Sequence, residues 1–185
     1  MAKKQKGKQA RVAVGTDAAA AISLREFVAT AGELTTQQRK QLVDQALVLV
    51  EQAYVHLPLK HAMHGVDPIQ RLKLLGQRLE QLSERHFHQE LLSIFVELRD
   101  LHTNYLLPDP YSGRTAFLPF LMEEFVQDGT PRLMVSKLRA GFSDPHFVPG
   151  VEVTYWNGVP IDRAVEVNAA RQAGGNPDAR HAQGL

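Results

Sequence analysis

Cysteine is missing from all 185 residues, which removes disulfides, cysteine nucleophiles and thiolate metal sites from consideration. No apolar run approaches the roughly 20 residues of a membrane-crossing helix. No glycine-rich phosphate loop is present, because Gly174-Gly175 follows a predicted helix, where glycine serves as a stop. Six serines occur, at positions 23, 83, 93, 112, 136 and 143, and none stands in a G-x-S-x-G elbow. Ser112 lies in the turn-like "YSGR", a place for a turn former.

Charge of one sign is scarce at the start. Lys3, Lys4, Lys6, Lys8 and Arg11 precede the first acid, Asp17. Five of the 21 basic residues sit there, so the remaining 16 face 20 acidic residues and the body is about −4. A body of that sign is a poor general nucleic-acid binder. The basic tail, without interleaved aromatics, reads as a solvated disordered end. Asp17 and the alanine-rich run after it make a poor secretory signal. The expectations are a cytoplasmic protein with no nucleic-acid partner and no membrane partner.

A hydrophobic fraction of 44% suits one medium domain or two small ones. A short helix is expected over residues 18–31, with Asp17 as N-cap and Gly32 as stop. In "LTTQQRKQLVDQALVLVEQAYVHLP", Thr35 and Gln38 have capping-box spacing. Leu42, Val43, Ala46, Leu47, Val50, Ala53, Tyr54 and Leu57 then recur at helical intervals. Pro58 ends or bends that helix. Asp67 and Pro68 open the next helix, striped by Ile69, Leu72, Leu75, Leu79 and Leu82. A third follows in "ERHFHQELLSIFVELRDL", with Phe87, Leu91, Ile94, Phe95 and Leu98 facing inward.

The pattern changes after Asp100. "NYLLP" and "TAFLPF" are extended candidates flanking the turn-rich "DPYSGR", and "FLMEEFVQ" and "RLMVSKL" flank "DGTP" as a second hairpin. "GVEVTYW" alternates around Val151, Val153 and Tyr155, and Asn157-Gly158 is a tight-turn pair. "IDRAVEVNAARQA" reads as a helix capped by Asp162. The reading is α+β: a tail with a possible short helix over 1–32, a helical bundle over 33–101 and a small α+β module over 102–185.

Eight histidines raise the question of a metal. His61, His64 and Asp67 form one group, and His86, His88 and Glu90 another. Neither has the helical two-histidine-plus-glutamate pattern of a zinc peptidase, and positions 86 and 88 point away from each other on a helix. They read as polar-face histidines near loops. No metal and no cofactor is expected. His102 is different in kind, because it stands where a helix end meets an extended segment. Imidazole titrates near neutrality and can move a proton between a hydroxyl and a leaving amine. Arg99 and Asp100 are placed to orient their neighbours. The alternative is an ordinary junction histidine.

"FHQELLSIFVELRDLHTNYLLPDPY…AFLPF" resembles the N-terminal region of a serine peptidase family. That family holds the tail-specific C-terminal-processing proteases, the tricorn core protease and the chlamydial protease-like activity factor. "GVEVTYWNGVPIDRAV" resembles the PDZ-like segment that follows in the family. The resemblance covers residues 35–185 and is most specific around 95–120. In the tricorn-like and chlamydial-factor-like branches the histidine of a Ser-His-Glu arrangement comes from the motif matched by His102. The resemblance therefore implies His102 as general base. The tail-specific branch uses a Ser-Lys pair, against which "LRDLHT" argues. The family's serine, glutamate and oxyanion donor lie on a crotonase-like α/β domain downstream, expected here to be absent. "GNPDARHAQGL" reads as an interruption with no closing element.

Two functions of different class follow. The first is the N-terminal fragment of a serine-type peptidase, inactive alone, contributing His102 and a PDZ-like peptide-binding module. Its partners would be an extended peptide or protein substrate and, as in related peptidases, a second copy in a homodimer. The second is a stand-alone peptide-binding module. For either, Val151, Val153, Tyr155, Asn157 and Gly158 are the candidate substrate-binding residues. A nucleic-acid binder acting through residues 3–11 is a third, weaker alternative.

Overall fold

Reciprocal side-chain caps begin the first two helices among the described residues. The computed structural model describes residues 22–185. The segment up to Ala31 and the segment from Gly32 onward are separate units. In the first, α1 (Leu24–Thr30) starts at a complete capping box between Ser23 and Glu26. Asp17, the expected cap, lies outside the described residues, as does the basic tail.

In the second unit, α2 (Thr36–Val48) begins at the expected box: Thr35 Oγ1 accepts from the Gln38 amide and Gln38 Oε1 from the Thr35 amide. A π-helical turn, Leu49–Ala53, continues it. Pro58 neither ends nor bends this helix. The chain leaves it at Tyr54, and Pro58 sits in the first turn of a new helix, α3 (Leu57–His64). Proline there gives up an amide that has no helical acceptor anyway. Asp67 and Pro68 open α4 (Pro68–Gly76), as the sequence predicts. The expected single helix breaks after Gly76, and a short 3₁₀ turn, Leu79–Gln81, delivers Leu79 to the core. The final helix of this half is α5 (Glu84–Glu97). Val43, Ala46, Val50, Leu72, Leu75, Leu79, Phe87, Leu91, Ile94, Phe95 and Leu98 form one buried cluster. Each helix is too short to be stable in water alone, so this shared core supplies most of their stability.

The hairpin expected around "DPYSGR" does not form. Residues 104–119 contain no strand. Pro108, Pro110 and Pro119 lack the amide that a ladder needs. The second hairpin does form. β1 (Phe120–Gln127) pairs antiparallel with β2 (Thr130–Leu138). The turn residues Asp128 and Gly129 have φ of 52° and 77°, the doubly positive pattern of a tight hairpin. On its other side β2 bonds to residues 150–153, with the Val135 amide on Val151 O at 2.9 Å and the Val153 amide on Leu133 O at 2.8 Å. β3 (Tyr155–Trp156) and β4 (Val159–Pro160) make a second small antiparallel sheet about Asn157-Gly158, whose φ values are also positive. Leu133, Val135, Val153, Ile161 and Val165 form a second core. The fold class is therefore α+β.

Two helices follow. α6 (Ile161–Ala169) has Pro160 at its cap position, and Asp162 lies in the first turn instead of capping it. The Ile161 amide, the first of the helix, bonds to Thr154 O at 2.9 Å. The final segment, expected to hold no closing element, is a helix: α7 (Pro177–Gly184), capped by Asn176. It has no apolar stripe, so periodicity misses it. It is held by close approach to α6. A Cβ on Gly184 would stand 2.8–2.9 Å from Ala169, and Asn168 Nδ2 donates to Gly184 O at 2.8 Å. Gly184→Ala is expected to cost about 1–3 kcal/mol through overpacking. Hydrogen exchange should quicken across 177–184 and stay unchanged in α5. Unaltered exchange in α7 would refute the close-packing account.

Candidate functional site

The turn that carries His102 begins where α5 runs out. After Leu98 the chain enters the left-handed region at Arg99, φ 52°, a position usually given to glycine. A side chain there costs on the order of 1 kcal/mol, so something must hold Arg99 in place. Its guanidinium donates to Ala170 O and Gln172 O, both at 3.1 Å, just beyond α6. Its own carbonyl accepts from Lys60 Nζ at 3.0 Å. The Leu101 side chain lies where a Cβ on Gly174 would come within 3.0 Å. The turn is thus gripped by α3 on one side and the chain after α6 on the other.

Asp100 is the centre of this turn. Its Oδ1 accepts the His102 amide at 2.9 Å, and its Oδ2 accepts the Tyr54 hydroxyl at 2.8 Å and the Thr103 hydroxyl at 3.4 Å. The bond from the His102 amide holds the Asp100 carboxyl below its ordinary value of 3.8, despite opposition from burial. The Tyr54 hydroxyl and the charges of Lys60 and His102 act in the same direction. Burial and the same Asp100 carboxylate raise the Tyr54 phenol far above its ordinary value of 10.

A depressed carboxylate contributes stability above its unfolded value, and that contribution is lost as pH falls through the folded value. The parent should therefore exceed Asp100→Asn in melting temperature at pH 5, with the gap closing below about pH 4. A gap that is constant from pH 5 to 3 would refute the assignment.

The His102 imidazole itself projects into solvent, with its side chain 96% exposed. Nδ1 is 3.8 Å from Asp100 Oδ1, too far for a hydrogen bond. Both ring nitrogens are open to a partner. His102, Thr103, Asn104, Tyr105 and Leu106 form one lip of a groove of about 510 Å³. Leu42, Leu49 and Ala53, on α2 and its π turn, also line it. No serine among the described residues hydrogen-bonds to His102. Ser23 and Ser83 cap helices, Ser93 faces Arg71, and Ser136 is turned to Leu121 O.

The other candidate residues lie on the β module. Val153 is in the second core, and Val151 is half-buried with its carbonyl bonded to β2. Tyr155, Asn157 and Gly158 are exposed. Asn157 alone of the five lines a groove of about 470 Å³, which Trp156, Val159, Ile161 and Arg171 also line.

The histidines near loops have several fates. His61 Nδ1 bonds to Val66 O and His86 Nδ1 to Ser83 Oγ. His88 is no polar-face residue. It is buried, with Nε2 2.8 Å from Glu84 Oε1 and Nδ1 2.9 Å from the Tyr105 hydroxyl. Glu84 Oε2 also accepts from Arg39 at 2.8 Å and from the Leu34 amide at 3.1 Å. Burial and the Glu84 charge push Tyr105 up to about 12. This network anchors the chain just beyond His102. The i, i+4 spacing of Glu84 and His88 was the available signal for it. Among the described residues no group of three or more histidine, aspartate or glutamate side chains is arranged to hold a metal. None of their helices is long and apolar enough to cross a membrane.

No protein-family model and no curated protein sequence matches the chain. Among solved structures, it is similar to mature CPAF, a chlamydial protease, with a TM-score of 0.57 and 19% identity. The likeness covers 81% of this chain and 27% of that one. The chain therefore matches the fold of about a quarter of the CPAF chain.

Proposed function

We propose that this chain is the histidine-bearing part of a serine-type peptidase. In this reading His102 is the general base, and a serine and an acid come from outside residues 22–185. The observation that carries it is the contrast at His102: a backbone held by the half-buried Asp100 carboxylate, and an imidazole with both nitrogens open. A histidine in that state can take a proton from a hydroxyl brought to it and return it to a leaving amine. The sequence resemblance at "LRDLHT" and the shared fold with part of a chlamydial protease support the same reading. The module over 102–185 would be PDZ-like and present an extended peptide to that centre. A second copy in a homodimer is compatible with this arrangement.

The test places the chain together with a serine-bearing domain in one polypeptide and follows cleavage of an unfolded, labelled protein. His102→Ala should lower turnover by about 10²- to 10⁴-fold and leave the melting temperature unchanged. Turnover equal to the parent's would overturn the role.

A second reading, a peptide-binding module without chemistry, is favoured by the groove beside Trp156 and Asn157. Calorimetric titration with unstructured peptides tests it. Binding should weaken in Trp156→Ala, and absence of any binding would remove both the module and the PDZ-like assignment.

A further inference from the structure

We propose that Asp100, braced by Tyr54, is the positioning residue for His102, acting on its backbone and not as the acid of a triad. This rests on the reading of His102 as general base. Three observations carry it. First, Asp100 spends Oδ1 on the His102 amide at 2.9 Å, while the imidazole Nδ1 lies 3.8 Å away. The ring nitrogen is thus left for an acid from elsewhere. Second, the carboxylate cannot rotate freely, because Oδ2 is held by the Tyr54 hydroxyl at 2.8 Å. Tyr54 is the first residue after the π turn, a local irregularity often found at functional sites. Third, the residue before Asp100 has a left-handed backbone that four contacts from α3 and the chain after α6 maintain. A strained turn fixed from several elements is a device for holding one geometry. A base on a loop needs such a device, because a displacement of about 1 Å at a reacting group costs up to about 100-fold in rate.

The charged and titratable groups facing Asp100 are Tyr54, Lys60 and His102. Lys60 Nζ is committed to Arg99 O, so it buttresses the same turn without replacing Tyr54.

Two measurements test the proposal. In the 185-residue chain, the His102 amide should be protected from hydrogen exchange. Asp100→Ala should speed that amide about 10- to 100-fold, the loss expected for a bond to a charged acceptor. Tyr54→Phe should speed it less, and the amides of Leu91 and Phe95 should be unaffected in both. In the chain joined to a serine-bearing domain, Asp100→Ala should lower kcat by up to about 100-fold with KM unchanged, and Asp100→Asn, which keeps an acceptor oxygen, should recover part of the loss. A His102 amide unprotected in the parent, or a kcat untouched by Asp100→Ala where His102→Ala lowers turnover, overturns the positioning role and leaves the base intact. If His102→Ala itself has no effect, the base assignment falls instead.

Discussion

Replacing Glu84 by alanine should be the most destabilising single change among the charged residues of the helical half. Glu84 and Arg39 have side chains only 8% and 7% exposed. The Glu84 carboxylate accepts from Arg39, His88 and the Leu34 amide. Removing it strands a guanidinium that already has an unpaired Nε inside the protein. The guanidinium also lies over Phe87, 5.6 Å from the ring centre, so it cannot swing to water without disturbing the core. Breaking a buried pair from one side costs about 3–5 kcal/mol. For a chain of this size that corresponds to a fall of roughly 6–20 °C in melting temperature. Urea denaturation followed by circular dichroism is the measurement.

Glu84→Gln keeps the acceptor oxygen and should lie between parent and alanine. Arg39→Met with Glu84→Leu removes both charges and should recover part of the loss. Recovery is incomplete because Leu79 O and Leu82 O lose the Arg39 Nη1 donor, and because His88 and the Leu34 amide lose their acceptor. A Glu84→Ala protein with the parent's urea midpoint would show that the pair contributes nothing.

The same network explains what periodicity can and cannot read. The stripe Phe87, Leu91, Ile94, Phe95 and Leu98 was legible because apolar residues at helical spacing have one outcome, burial. The two glycine-containing turns at 128–129 and 157–158 were legible because few residues adopt positive φ. His88 and Glu84 were not, because a polar residue on the inner face is placed by partners distant in sequence. Arg39 and Tyr105 are 45 residues and 17 residues away from the groups they meet. Tyr54 was read as one more apolar position, and its ring does pack on the core. Only its hydroxyl, reaching Asp100 across 46 residues, gives it a second role. α7 was missed for a related reason: a contact through glycine leaves no hydrophobic mark. At the candidate site the motif pointed to His102 and Asp100, while the braces Tyr54 and Lys60 come from the fold.

His102→Ala should then lower turnover, in the chain joined to a serine-bearing domain, by about 10²- to 10⁴-fold, the range that a positioned proton-transfer group supplies. The exposure of the imidazole sharpens the test. Since its side chain is 96% exposed, truncating it leaves a space open to small molecules and leaves neither a buried cavity nor an unpaired buried atom. Stability should not change, so lost activity cannot be put down to unfolding. Free imidazole added to His102→Ala should restore part of the rate in a saturable way. In a double variant with Asp100→Ala, the same imidazole should restore as much as in the single variant, because the backbone held by Asp100 no longer carries the base. If Asp100 instead acted on the site through its charge, rescue in the double variant would be weaker. Failure of imidazole to rescue while stability is intact would leave His102 without a proton-transfer role.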